Sequence, residues 1–239
     1  MIKNLTKLAI FAVCTINAVS AEHVECHSMN PISGKEIEMI ESMTELAMIF
    51  EKHHDVVVNI VDVKVGGQGK QIDFCVRWDD QVAWAKSQDS IGPGQNKDMT
   101  AWGEKWGTSA RSVRIGSSSF NNLDTAAKKE RFNQYHVFHV FALKAELGRH
   151  DEMIARFKQF EKLSERYGNQ VDLYEDVAGG TGELWVLMTN ESFTALIGSG
   201  AGPVDENDKD LQDYVAAADP TMYQVLKEMR GHTFYPSKK

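Results

Sequence analysis

Two hydrophobic periods alternate along the chain, and they do so twice. Between residues 37 and 50 the apolar side chains fall at steps of three and four: Ile37, Ile40, Met43, Ala47 and Phe50. That spacing predicts an amphipathic helix ending near His53 and His54. Ser33 and Glu36, just ahead of it, have the spacing of a capping box. The stretches around the helix are β-branched or alternating. HVECH (residues 23–27) reads as a short strand, DVVVNIVDVKV as a second and QIDFCVRW as a third. The glycines of VGGQG (65–69) allow a turn between the second and third strands. DDQVAWAKS then opens a loop or short helix, SIGPGQNKD is turn-rich, MTAWGEKWG predicts a helix with Trp102 and Trp106 on one face, and SVRIG predicts a last strand.

The second half follows the same order. YHVFHVFAL (135–143) is apolar on both alternating faces, as a strand covered on both sides would be. DEMIARFKQFEKLSERYG predicts a helix with Ile154, Phe157, Phe160 and Tyr167 on its stripe and Gly168 at its C-cap. VDLYEDV and ELWVLM predict strands joined by AGGTG (178–182), and KDLQDYVAAA predicts a helix. Asp219-Pro220 has the chemistry of an N-cap and a first-turn proline, so TMYQVLKEM is expected as a further helix. Gly231 would stop it, with HTFY as the final strand.

These landmarks align at slowly drifting offsets. Glu38-Met39-Ile40 matches Glu152-Met153-Ile154 at 114, and Gly66-Gly67 matches Gly179-Gly180 at 113. His23 is set against His136 at 113, and Phe74 against Trp185 at 111. Order conserved over such a length points to an internal repeat. Each unit then reads βαββαβ, a four-stranded antiparallel sheet with helices on one face. The expected fold is α+β: two tandem ferredoxin-like units packed sheet to sheet, so that each covers the other's bare apolar face. The expected boundaries are 22–120 for the first unit, 121–134 for a linker and 135–239 for the second, after a leader at 1–21.

DEMIARFKQFEKL, the strand–turn–strand VDLYEDVAGGTGELWVLM and the following NESFTAL resemble the dimeric α+β-barrel superfamily. That group includes NIPSNAP-like proteins, small monooxygenases of antibiotic biosynthesis, and haem-degrading and chlorite-dismutase-like enzymes. Here both halves would lie on one chain, as a pseudo-dimer. The resemblance implies small ligands held between sheet and helices. It also implies an axial histidine where haem is bound, although no motif maps that role onto a position of this chain. In such a sheet the first and third strands are neighbours, so Cys26 and Cys75 would be cross-strand partners if their register matches.

Composition adds the compartment. Lys3 and Lys7, the apolar run LAIFAV and the small residues VSA before a cut after Ala21 form the pattern of a secretory signal, too short to span a membrane. The expected location is therefore periplasmic or extracellular. Without residues 1–21 the chain carries 24 basic and 34 acidic residues and two cysteines. In an exported chain two thiols most simply make one disulfide, the alternative being two free buried thiols. The acidic balance argues against nucleic acid and against an anionic membrane surface. No second apolar stretch of spanning length follows.

Candidate chemistry is sparse. Strand histidines His23, His136 and His139 suit acid/base or ligating roles, but ordinary hydrogen-bonded histidines explain them equally well. No zinc, calcium or phosphate-loop motif occurs, so no metal is expected and no cofactor is required. Trp78, Trp84, Trp102 and Trp106 crowd into the first half, where they either line a ligand pocket or fill core. Three expectations follow for function: a binding protein for a small apolar or aromatic molecule, a monooxygenase-like or haem-handling enzyme using a strand histidine, or a structural assembly module.

Overall fold

A computed structural model describes residues 21–91, 94, 96–107, 109–124, 129–178, 184–196 and 207–236. The strands are β1 (His23–Pro31), β2 (Val57–Val65), β3 (Ile72–Trp78), β4 (Ser112–Asn122), β5 (Val137–Ala145), β6 (Gln170–Ala178), β7 (Leu184–Asn190) and β8 (Tyr223–Tyr235). The helices are α1 (Glu36–His53), α2 (Gln81–Ile91), α3 (Lys97–Trp106), α4 (His150–Arg166) and α5 (Lys209–Ala216). Residues 1–20 of the expected leader lie outside the described residues, as do residues 179–182 of the AGGTG turn and residues 197–206.

The eight strands form one closed antiparallel barrel in the order β1-β3-β2-β8-β5-β7-β6-β4. Within each half the order is the same: β4-β1-β3-β2 in the first and β8-β5-β7-β6 in the second. Sheet-to-sheet packing is therefore only part of the junction. The halves also join edge to edge, β2 to β8 and β4 to β6, which pairs the backbone groups that open edges would leave bare. Inner side chains fill a lumen, and outer ones meet the helices. Met39, Met43 and Ala47 of α1 pack on Ile60, Phe74 and Val76, while Met153 and Phe157 of α4 pack on Leu143, Val171 and Val186.

Register bears out the cysteine expectation. Cys26 stands directly opposite Cys75 in the β1–β3 ladder, and the two form a disulfide inside the lumen. The β2–β3 turn needs glycine at residue 66: its φ is +77°, and a Cβ there would lie 1.7 Å from the Glu228 carbonyl oxygen.

Several local expectations are corrected. Residues 223–229 are strand, not helix. Met222, Val225, Leu226 and Met229 mimic a helical stripe, but residues 223–229 ladder with β5, and β8 continues from Arg230 to Tyr235 along β2, which overrides it. Gly231 is a point of close approach within β8, where a Cβ would meet the Asp62 carbonyl oxygen at 1.9 Å and the Phe138 ring at 2.6 Å. The Ser33–Glu36 capping box does not form: α1 starts after Lys35 with no side-chain cap, and Glu36 pairs with Lys70 instead. Ile37 is exposed, so the buried stripe of α1 runs through Met39, Met43 and Ala47. The connection between the halves is partly interior. Phe132 is buried, its carbonyl accepts from Asn59, and its ring lies 3.6 Å from the Arg77 guanidinium carbon.

Candidate functional site

Two spaces inside the molecule are candidates. The larger is a cleft of about 420 Å³ between the outer face of the first half's sheet and its helices. Strand alternation builds its floor: His27 and Met29 from β1, Phe74, Val76 and Trp78 from β3. α1 supplies Met39, Met43 and Phe50, and α3 closes the cleft with Met99 and Trp102. Methionine and aromatic side chains give a deformable apolar wall. Trp102 fixes the closure, because its Nε1 donates to the Ser42 carbonyl oxygen at 2.9 Å and so ties α3 to α1. Asn96 caps α3 by accepting from the Asp98 and Met99 amides.

Charge collects at one side of this cleft. The Arg114 guanidinium donates to His27 Nδ1 at 2.8 Å and also meets the Ser117 hydroxyl. With Nδ1 accepting, the His27 proton sits on Nε2, which faces Glu25 at 3.6 Å. Burial holds His27 below its usual pKa, with Glu25 opposing and Arg114 assisting. Arg111 lies beside Trp106, donates to its carbonyl oxygen, and stands near Glu38.

The smaller space is the barrel lumen, a cavity of about 140 Å³. Phe120, Phe138, Val140, Trp185 and Leu187 wall it together with the disulfide. Gln71, Asp73 and Lys227 stand at one end, Arg77 and His136 at the other. Arg77 is held in a buried cluster: it donates to Glu22 at 2.6 Å, Tyr174 at 2.8 Å and Asn59 at 3.0 Å. Burial opposes its charge, but Tyr174 and Glu22 outweigh burial and hold its pKa above the usual arginine value. His136 Nδ1 donates to the Gln134 carbonyl oxygen at 3.0 Å, which leaves the lone pair on Nε2. Burial pushes its pKa down to about 4, against the Gln134 hydrogen bond and with help from Arg77.

The residues expected to bind do not converge. Trp78 and Trp102 line the cleft. Trp84 packs on His23 at 5.1 Å and donates to Glu25, and Trp106 donates to Glu45 at 2.7 Å, so these two brace the cleft from behind and at its rim. His23 is buried, with Nδ1 on Asn121 at 2.8 Å and Nε2 against the Ser119 hydroxyl at 3.1 Å. His139 lies on the outer face of β5, with Nε2 2.8 Å from Glu228. His23 and His136 are on opposite faces of the sheet, so they are not set against each other as the offset of 113 has it. The same holds for Phe74, which faces the helices, and Trp185, which faces the lumen. The even spacing of His23 and His27 places both on one strand face, but Arg111 and Arg114 were not singled out, because β4 had to be located before the arginines could be placed.

Haem, the cofactor implied by the superfamily resemblance, does not fit these residues. His23 has both ring nitrogens engaged, and His139 is paired with Glu228. His27 carries its proton on Nε2 and has Arg114 on Nδ1. His136 offers a lone pair, but into a lumen far smaller than a porphyrin. Among the described residues no group of three or more His, Cys, Asp or Glu is placed to hold a metal ion. Among them, too, no helix is long and apolar enough to cross a membrane.

No protein-family model matches the chain, and no curated protein is similar in sequence. Solved structures are similar in fold. A candidate monooxygenase from Fusobacterium nucleatum superposes with a TM-score of 0.58 at 10% identity, over 90% of this chain and 92% of that one. A candidate chlorite dismutase gives 0.58 at 10% identity, over 90% and 95%. A candidate monooxygenase from Lactobacillus acidophilus gives 0.55 at 8%, over 89% and 93%. The chain thus has the fold of the dimeric α+β-barrel superfamily.

Proposed function

We propose that this chain, built on the dimeric α+β-barrel fold, is an exported binding protein for a small apolar or aromatic molecule held in the cleft between β1, β3, α1 and α3. The observation that carries this reading is the cleft itself. Its volume of about 420 Å³ is in the range of small-molecule sites, much of its wall is apolar and aromatic, and its charged groups, Glu25, Arg111 and Arg114, stand with His27 on the side of β1 and β4. Export accords with the leader pattern at residues 1–21 and with a disulfide in the folded chain.

The two halves are tandem ferredoxin-like units in this reading. Support comes from their identical strand order and from register. Pairing places Cys26 and Cys75 at the same ladder positions as Val140 and Leu187, offsets of 114 and 112. Asn59 likewise matches Asp172 at 113, and Ser118 matches Met229 at 111. One residue is lost at each successive strand, as expected if indels fall in the connecting loops. The disulfide and the cleft's tryptophans are then additions particular to the first unit.

The enzyme reading draws on the names of fold neighbours alone, and the paired histidines speak against an axial ligand. Titration with 8-anilinonaphthalene-1-sulfonate separates the two readings. A binding protein takes up the dye at one saturable site, and Met99→Trp, which fills the cleft, abolishes uptake without lowering the melting temperature. Haem uptake with a Soret band lost on His27→Ala or His139→Ala would replace this reading with the enzyme one.

A further inference from the structure

The lumen is walled off from the cleft by the sheet, and its chemistry differs. We propose that the barrel lumen is a second binding site, which takes a neutral single-ring molecule carrying a hydroxyl or N–H donor, of the phenol class, with that donor on His136 Nε2. Size sets the ring. A dry apolar cavity of about 150 Å³ accommodates benzene, and this one measures about 140 Å³. The wall suits an aromatic guest, with Phe120 and Trp185 already meeting edge to face at 5.1 Å and the Cys26–Cys75 disulfide in the same cluster.

Polarity sets the substituent. His136 lines the cavity, its Nδ1 is committed to Gln134, and no described residue pairs with Nε2. An uncharged imidazole in that tautomer accepts one hydrogen bond and offers none on Nε2. Charge excludes an anion: Arg77 is the cation at this end, and Glu22 balances it within the same buried cluster. At the other end the lining holds one acid, Asp73, and one base, Lys227, so it does not favour a net charge either. The site needs nothing from the helix–sheet cleft, and it stands or falls independently of it.

Calorimetry of the full chain with phenol and with benzene tests the proposal. Phenol should bind about fivefold to tenfold more tightly than benzene, the ratio that one hydrogen bond contributes. Phenol should also shift the His136 Nε2 nitrogen resonance. His136→Phe should bring the two affinities together while keeping benzene binding. Val140→Phe, which puts a ring into the cavity, should abolish both, and Met99→Trp in the cleft should change neither. Equal affinities in the unaltered chain would overturn the proposal, as would a phenol preference that survives His136→Phe, phenol binding lost with Met99→Trp, or no uptake of either molecule.

Discussion

His136 gives the sharpest energetic test of the structure. The side chain is 7% exposed, beside Phe132 and within the field of Arg77, and burial lowers its pKa to about 4. In the unfolded chain it reverts to about 6.5. The folded state therefore binds fewer protons than the unfolded state between these values. Its stability contribution is intact above pH 6.5 and is lost as pH falls toward 4. A depression of two to three pKa units corresponds to about 3 kcal/mol at the acid end of that window. The perturbation is His136→Gln, which keeps a donor for the Gln134 carbonyl oxygen and cannot be protonated. Urea unfolding of both proteins from pH 7.5 to pH 4 isolates the contribution, because the other histidines cancel in the difference. The variant should lose about 3 kcal/mol less than the parent across this range. Parallel stability profiles would refute the assignment of His136 as a neutral buried group.

Two other perturbations bear on the lumen. Replacing both Cys26 and Cys75 by serine removes a cross-link spanning 49 residues, which loop entropy values at about 4 kcal/mol, and urea melts should show a loss of that order. A loss below about 1 kcal/mol would mean that the unfolded chain is already constrained. Arg77→Met leaves the Glu22 carboxylate buried without its partner and should cost about 3–5 kcal/mol in the same assay. Restoration by the added change Glu22→Gln would locate that cost in the stranded charge, and no restoration would place it elsewhere.

Much of the architecture is written locally. Periodicity marks α1 and α4, β-branched runs mark β2 and β3, and the Gly66 turn joins them where a left-handed residue is required. That Cys26 and Cys75 can pair follows once β1 and β3 are taken as neighbours, and the ladder supplies the matching register. What escaped depends on partners distant in sequence. β8 carries a helical pattern over 222–229 and becomes a strand because β5 offers that segment a ladder and β2 pairs with its continuation from Arg230. Setting His23 against His136 matches residues on opposite faces, an error that identity matching tolerates and a pleated sheet does not. The four candidate tryptophans lie in the half that holds the cleft. Whether Trp84, Trp102 and Trp106 line it depended on where Glu25, Ser42 and Glu45 lie to accept the indole hydrogen bonds. The methionine wall carried no signal of its own, because Met39 and Met43 also serve an ordinary helix core.

A crystal structure of the protein grown with 8-anilinonaphthalene-1-sulfonate tests the central claim most directly. The account predicts the dye between the outer face of β1 and β3 and the helices α1 and α3, in contact with Trp78 and Trp102. Dye bound only on the outer surface, or a cleft closed by collapse of α3 onto Phe74 and Val76, would contradict it.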